Sequence, residues 1–255
     1  MRIGAEVIHP EDRAGVVAGF LVQLRRRGDY ASAFRAMRQD GTVCHLRAYG
    51  RFLAQSGRRG TYLGVVIDAT KDTLREQELQ AAHARQQHDA LHDALTGLPN
   101  RRSFDQWRAG LADVPPVPDP GHAVLAIDLD WFKQINDVLG HAAGDAALCR
   151  AARILRAMSP PRARLYRMGG DEFLMVIPAP GPAPDLMQMA TGMIEELTRP
   201  FVHDDQPCQN SASIGICLGG SDGPALDASC LRADRALYRS KTAGRGLANL
   251  AEDSC

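Results

Sequence analysis

Two short stretches hold most of the side chains that could do chemistry. Residues 127–145, IDLDWFKQINDVLGHAAGD, end an apolar run in two aspartates, Asp128 and Asp130. Residues 164–177, RLYRMGGDEFLMVI, place two glycines between apolar runs and follow them at once with Asp171 and Glu172. Asp128 and Asp130 are two apart, so a regular strand points both to one face. A carboxylate at the end of a buried strand is costly unless something compensates it, and a hard divalent cation does so. A hairpin beside the strand ending at Asp128 brings Asp171 to the same edge, where two carboxylates converge on one ion. The glycines then permit positive φ and let a substrate approach the backbone. The competing reading of the hairpin is a tight turn with two solvated acids. For Asp130 it is exposure at the strand end or capping of the next helix.

The elements that must position these groups follow from periodicity. From residue 95 the chain reads as a helix with Phe104, Trp107 and Leu111, a loop PPVPDPG, and the strand HAVLAIDLD. A helix through GDAALCRAARILRAM, the glycine hairpin, the loop PAPGPAP and a helix with Leu186, Met189, Met193, Ile194 and Leu197 come next. A strand pair centred on SASIGICLGG and a helix through CLRADRALYRSK close the pattern. The order β-α-β-β-α-β predicts a ferredoxin-like α/β sheet with helices on one face. Upstream, residues 10–28 read as a helix with Val16, Val17, Phe20, Leu21 and Leu24 on its apolar face and Gly28 at its end. Three strand-like pieces follow, YASAFRAM, TVCHLRAYGRFLA and TYLGVVIDAT, parted by the turns RQDG and SGRRG. Residues 70–94 lack proline and glycine and predict a helix of roughly 37 Å. Leu74, Ala81, Ala84, His88, Leu91 and Leu95 make a weak coiled-coil seam there. His88 and His92 are one turn apart, and exposed linker histidines are preferred to a metal pair because no third ligand is near.

The 255 residues suffice for one large or two small domains. Hydrophobic residues at 45 % and charged residues at 24 % are ordinary for a globular chain. Thirty basic and thirty acidic side chains cancel, so no bulk field points to nucleic acid or an anionic membrane. No apolar run nears the roughly 18 residues of a membrane helix, and MRIGAEVIHPEDR lacks the apolar core of a signal peptide. A cytoplasmic protein is expected. The six cysteines are scattered, which favours reduced thiols over a disulfide or zinc framework.

Beyond these readings, HPEDR, FRAMRQDGTVCHLRAYG and GVVIDAT resemble the C-terminal part of a PAS sensor domain over about residues 8–70. The first two strands and short helices of that family have no counterpart, so the domain is expected to be truncated or degenerate, and no ligand is assigned. MGGDEF is the signature of the GGDEF, or diguanylate cyclase, family. DALTGLPNRRSF (93–104), DLDWFKQINDVLGHAAGD (128–145), SIGIC (213–217) and ADRALYRSKTAGR (233–245) resemble that family's other motifs in order and spacing. The expected organisation is a partial PAS-like antiparallel sheet at 1–70, a signalling helix at 71–94, and a ferredoxin-like GGDEF domain at 95–255.

The resemblance implies condensation of two GTP into cyclic di-GMP with Mg²⁺, or Mn²⁺ in its place. It assigns metal binding to Asp128, Asp171 and the Leu129 carbonyl. Asp171 would also accept the proton of the attacking 3′-hydroxyl, with Glu172 in support. Asn136 and Asp145 match the guanine-reading pair and His141 a further substrate contact. Backbone amides of Trp131, Phe132 and Lys133 should face phosphate oxygens, and Lys241 and Arg245, four apart on one helix face, should grip the terminal phosphates. Two new bonds join two guanylates, so two sites must face each other in a homodimer. The family's product-inhibition motif Arg-x-x-Asp is lost, since Pro160 and Ala163 stand at its key positions, and no strong feedback is expected there. The alternative is a catalytically silent module that binds GTP or a partner protein; retention of all the acids and of the guanine pair favours the enzyme.

Overall fold

The computed structural model describes residues 5–54, 61–111, 121–219 and 226–252. The turn expected at 56–60 and the loop at 115–120 lie outside them, as do the side chains of Ala81 and Ala84 in the expected seam. The chain forms two compact units, Met1–Gln86 and Gln87–Cys255.

In the first unit, α1 (Pro10–Arg26) starts with Pro10 in its first turn, and Arg27 closes it in a left-handed conformation. β1 (Tyr30–Met37), β2 (Val43–Leu53) and β3 (Thr61–Asp68) form one antiparallel sheet in that order. Its core is small: Ile8, Phe34, Ala36, Cys44 and Ala48 are buried. Phe20 meets Tyr30 edge-on at 5.2 Å, but Leu21 and Leu24 remain exposed, so the apolar face of α1 is narrower than its spacing predicts. Asp12 of α1 accepts from the Arg35 guanidinium and the Arg35 amide, tying the helix to β1. α2 (Thr70–Leu91) begins in this unit and ends in the next.

The second unit continues with α3 (Arg101–Leu111), β4 (His122–Asp130), α4 (Phe132–Leu139), α5 (His141–Met158), β5 (Arg164–Gly169), β6 (Glu172–Pro178) and α6 (Ala183–Thr198). A small hairpin, β7 (Phe201–His203) with β8 (Gln206–Cys208), precedes β9 (Ser211–Gly219), α7 (Leu226–Thr242) and β10 (Ala248–Leu250). The five-stranded sheet runs β10-β9-β4-β6-β5, antiparallel except for β10 on β9. The β4-β6-β5-β9 part is the expected ferredoxin-like unit, and its helices α5 and α6 cover one face.

The other face is covered too. Leu125, Ile127 and Leu129 pack with Leu148 and Leu155 of α5 and Met193 and Leu197 of α6. Val124 and Ala126 pack with Phe104 of α3 and Ala233 and Leu237 of α7. Helices on one face alone therefore describe only the central unit. A strand that is apolar at consecutive positions needs cover on both sides, and α3 and α7 supply the second.

Candidate active site

Strand parity carries from the core into the site. Asp128 and Asp130 continue the face of Val124 and Ala126, the side of α7. Gly215 of β9 lets α7 come close: a Cβ there would lie 2.0 Å from the Ala233 carbonyl oxygen and 2.2 Å from the Leu237 nitrogen. Lys241, in the last turn of α7, thus reaches the strand end, and its Nζ lies 2.7 Å from Asp128 Oδ2. Asp128 is 6 % exposed. Burial pushes its carboxyl up to about 6; the Lys241 hydrogen bond pulls it down, and the Asp171 charge pushes it up again.

The hairpin sits where the sequence places it. Asp128 is the β4 partner of Glu172, and the Leu129 amide donates to the Asp171 carbonyl at 3.2 Å. In a strand the amide and carbonyl of one residue lie on one edge, so the Leu129 carbonyl also faces this turn. Gly169 and Gly170 have φ of 144° and 52°, which glycine adopts without strain. Glu172 is exposed, 3.9 Å from the Arg101 guanidinium.

Asp130 follows neither reading made for it. It is 2 % exposed and caps nothing. Its Oδ1 accepts from Ser213 Oγ at 2.8 Å and its Oδ2 from the Gly246 amide at 2.9 Å. It anchors β9 and the turn after α7. The residue before α4 is Trp131, in a left-handed conformation with φ 63°. Trp131, Phe132 and Lys133 open a helix whose first amides lack intrahelical acceptors. Arg245 lies beyond the end of α7 in a turn, with φ 66°, so it does not share a helix face with Lys241. Its guanidinium lies 4.3 Å from the Trp131 ring centroid and 4.0 Å from Asp130.

A second group forms along α4 and α5. α5 starts at His141, three residues ahead of the expected run GDAALCRAARILRAM, so His141 and Asp145, four apart, share its exposed face. Asn136 of α4 packs on Gly144 so closely that a Cβ there would meet its Oδ1 at 2.0 Å.

Hard oxygen donors, a buried carboxylate and a second acid beside it suit Mg²⁺, which takes one or two carboxylates and completes its shell with water and phosphate. Among the described residues no three His, Cys, Asp or Glu side chains form a metal cluster. The sequence reading missed Ser213, Gly246, Gly144 and Gly215. Glycines inside a helix and a strand were the available signal for the last two.

A ferredoxin-like sheet whose central strand ends in acids beside a Gly-Gly turn is the architecture of GGDEF domains. Residues 90–247 match the family model described as "Diguanylate cyclase, GGDEF domain", and residues 2–66 match the "PAS fold". The chain belongs to the diguanylate cyclase GGDEF family, with a PAS fold ahead of that domain. It is 36 % identical over 194 residues to diguanylate cyclase TpbB of Pseudomonas aeruginosa, covering 74 % of this chain and 44 % of that protein. It is 39 % identical over 196 residues to an uncharacterized signaling protein of Caulobacter vibrioides, covering 76 % and 24 %. The coiled coil and GGDEF domain of DgcB from Caulobacter crescentus, solved in complex with c-di-GMP, matches with a TM-score of 0.63 at 25 % identity, over 71 % of this chain and 96 % of that one. The GGDEF domain of TpbB from Pseudomonas aeruginosa matches with a TM-score of 0.57 at 36 % identity, over 63 % and 94 %. This chain spans less than half the length of these two relatives. No helix among the described residues is long and apolar enough to cross a membrane.

Proposed function

We propose that residues 95–255 condense two GTP into cyclic di-GMP and two pyrophosphates, by attack of a 3′-hydroxyl on an α-phosphate across a homodimer. The observation that carries this reading is the buried Asp128 carboxylate, which feels the Asp171 charge across the β4-β6 pair and has the Lys241 ammonium 2.7 Å away. The fold pulls a carboxylate out of water and supplies a partly exposed lysine to balance it, at a place a nucleotide's metal and phosphates could take over.

Asp128, Asp171 and the Leu129 carbonyl would hold Mg²⁺, with Mn²⁺ as a substitute. When bound, the ion polarises the α-phosphate, lowers the 3′-hydroxyl pKa and steadies the leaving pyrophosphate. Asp171 accepts the proton of the attacking hydroxyl, and Glu172 supports the acidic edge. Lys241 leaves Asp128 for the terminal phosphates, which Arg245 also grips from the turn beside Trp131. Amides of Trp131, Phe132 and Lys133 position phosphate oxygens. Asp145 accepts from guanine N1–H and the 2-amino group, a donor pattern that adenine lacks, with Asn136 and His141 beside it. Positioning and charge stabilisation then supply most of the acceleration. Residues 71–94 pair two chains and set the angle between their sites, and residues 1–70 bias that pair.

The test is incubation of the purified chain with Mg²⁺ and GTP, with and without ATP, and identification of products by mass. Cyclic di-GMP is expected from GTP alone, with no mixed dinucleotide. Asp171→Ala should abolish turnover and leave the fold intact; undiminished synthesis by that variant overturns its role. A wild type that binds GTP and makes no product is the silent module instead.

A further inference from the structure

The stretch 93–102 does more than start α3. The Asn100 side chain accepts from the Ser103 amide at the start of α3, and its Nδ2 also donates to the Ala90 and His92 carbonyls at the end of α2. Two residues past α2, Asp93 Oδ1 accepts from the Thr96 amide at 2.8 Å, from Thr96 Oγ1 at 2.6 Å and from Arg167 Nη1 at 2.8 Å. Burial works against the Asp93 charge, yet the bonds from Thr96 and Arg167 hold its carboxyl below the usual range. The other edge of the same guanidinium goes to the catalytic turn: Arg167 Nε and Nη2 donate to the Gly170 carbonyl at 3.1 and 2.7 Å. The Arg167 amide donates to the Pro99 carbonyl at 2.9 Å, closing the loop against β5. The Arg167 side chain is 11 % exposed.

We propose that Arg167 is a positioning residue that fixes the Gly170–Asp171 peptide to Asp93, and through it to the end of α2. The proposal rests on the cyclase reading above. The Gly170 carbonyl belongs to the peptide that carries the Asp171 nitrogen, and glycines on its N-terminal side leave this turn little stiffness of its own. A planar guanidinium bonds a carboxylate through one nitrogen and a carbonyl through two others in a fixed geometry, whereas a lysine has a single nitrogen on a flexible stem. The geometry therefore ties the end of the linker helix to the turn that carries Asp171. Whatever shifts that helix end shifts Asp171, while Asn136 and Asp145, on α4 and α5, keep their places.

The experiment uses the full chain with Arg167→Lys, Asp93→Asn and the double variant, each scored per folded molecule from thermal melting. Misplacement of the acid predicts a kcat loss of about 10- to 100-fold in Arg167→Lys, with KM for GTP within about twofold. The Mg²⁺ concentration for half-maximal rate should rise severalfold in the same variant. Asp93→Asn should show the same split at smaller size, and the double variant should be no worse than Arg167→Lys, because both act through one connection. Additive losses, a loss carried by KM, or a loss that vanishes after correction for folded protein each overturn the proposal. A wild type that makes no cyclic di-GMP refutes the cyclase reading, and this proposal falls with it; an active wild type with unaltered variants refutes the proposal alone.

Discussion

Gly144→Ala tests the guanine role proposed for Asn136 separately from folding. Gly144 lies inside α5, where alanine is the better helix former by about 1 kcal/mol. Its φ is not positive, so the backbone does not require glycine. What requires it is Asn136: an added Cβ would lie 2.0 Å from Oδ1 and 2.9 Å from Cγ of that side chain. The first contact must open by about 1.4 Å to reach the 3.4 Å at which ordinary contact begins. The obstacle is the end of a flexible side chain, so Asn136 rotates away and the helix stays. Losing a polar contact to a base edge costs about 1–3 kcal/mol. That corresponds to an increase of about 5- to 150-fold in KM for GTP. The melting temperature should hold or rise, and kcat at saturating GTP should change far less than KM. Pyrophosphate release measured across a GTP titration, with a melting curve on the same sample, checks both. A variant with wild-type KM refutes the guanine role given to Asn136, and one that melts markedly earlier refutes the packing argument.

Gly215→Ala is the opposite case, since its Cβ would strike the backbone of α7 rather than a side-chain tip. A cost of about 3 kcal/mol is expected. That lowers the melting temperature of a domain this size by about 6–12 °C, readable by circular dichroism. In the first unit, bonds from the Arg35 side chain and amide hold the Asp12 carboxyl down to about 2, against a usual 3.8. A depressed folded value means that its stabilisation is complete above about pH 4 and drains away as pH falls toward 2. Hydrogen exchange on β1 peptides, corrected for intrinsic rates, should show protection fall across that window in the wild type. In Asp12→Asn it should already be lower at neutral pH and lose that step; an unchanged step assigns the acid response to another group.

How far the sequence could be read depends on whether a signal was local. YASAFRAM and HAVLAIDLD are β1 and β4 to the residue, because consecutive or alternating apolar side chains bounded by breakers leave few other choices. The helix α4 was not foreseen: eight residues behind a left-handed Trp131 are too few for periodicity to stand out. The three-residue strands β7 and β8 escaped for the same reason. Lys241 and Arg245 read as one helix face since nothing before Gly244 announces that α7 stops at Thr242. The bridge from Asp93 through Arg167 to Gly170 joins residues more than seventy positions apart, and no window along the chain displays it.

The parity of β4 connects what was legible to what was not. Alternate residues of one strand must serve two helical layers, so Val124 and Ala126 commit Asp128 and Asp130 to the α7 side. A helix C-terminus favours cations, and the last turn of α7 places Lys241 there. Asp128 therefore receives its balancing charge from the same packing that desolvates it, and Asp130 receives neutral donors from Ser213 and Gly246. Two aspartates two positions apart thus divide the work. Asp130 is fixed by hydrogen bonds from Ser213 Oγ on β9 and from the Gly246 amide in the turn after α7. Asp128 is balanced instead by the single Lys241 ammonium at 2.7 Å, and under the proposed mechanism the nucleotide's phosphates would draw that ammonium away and leave the carboxylate for a metal.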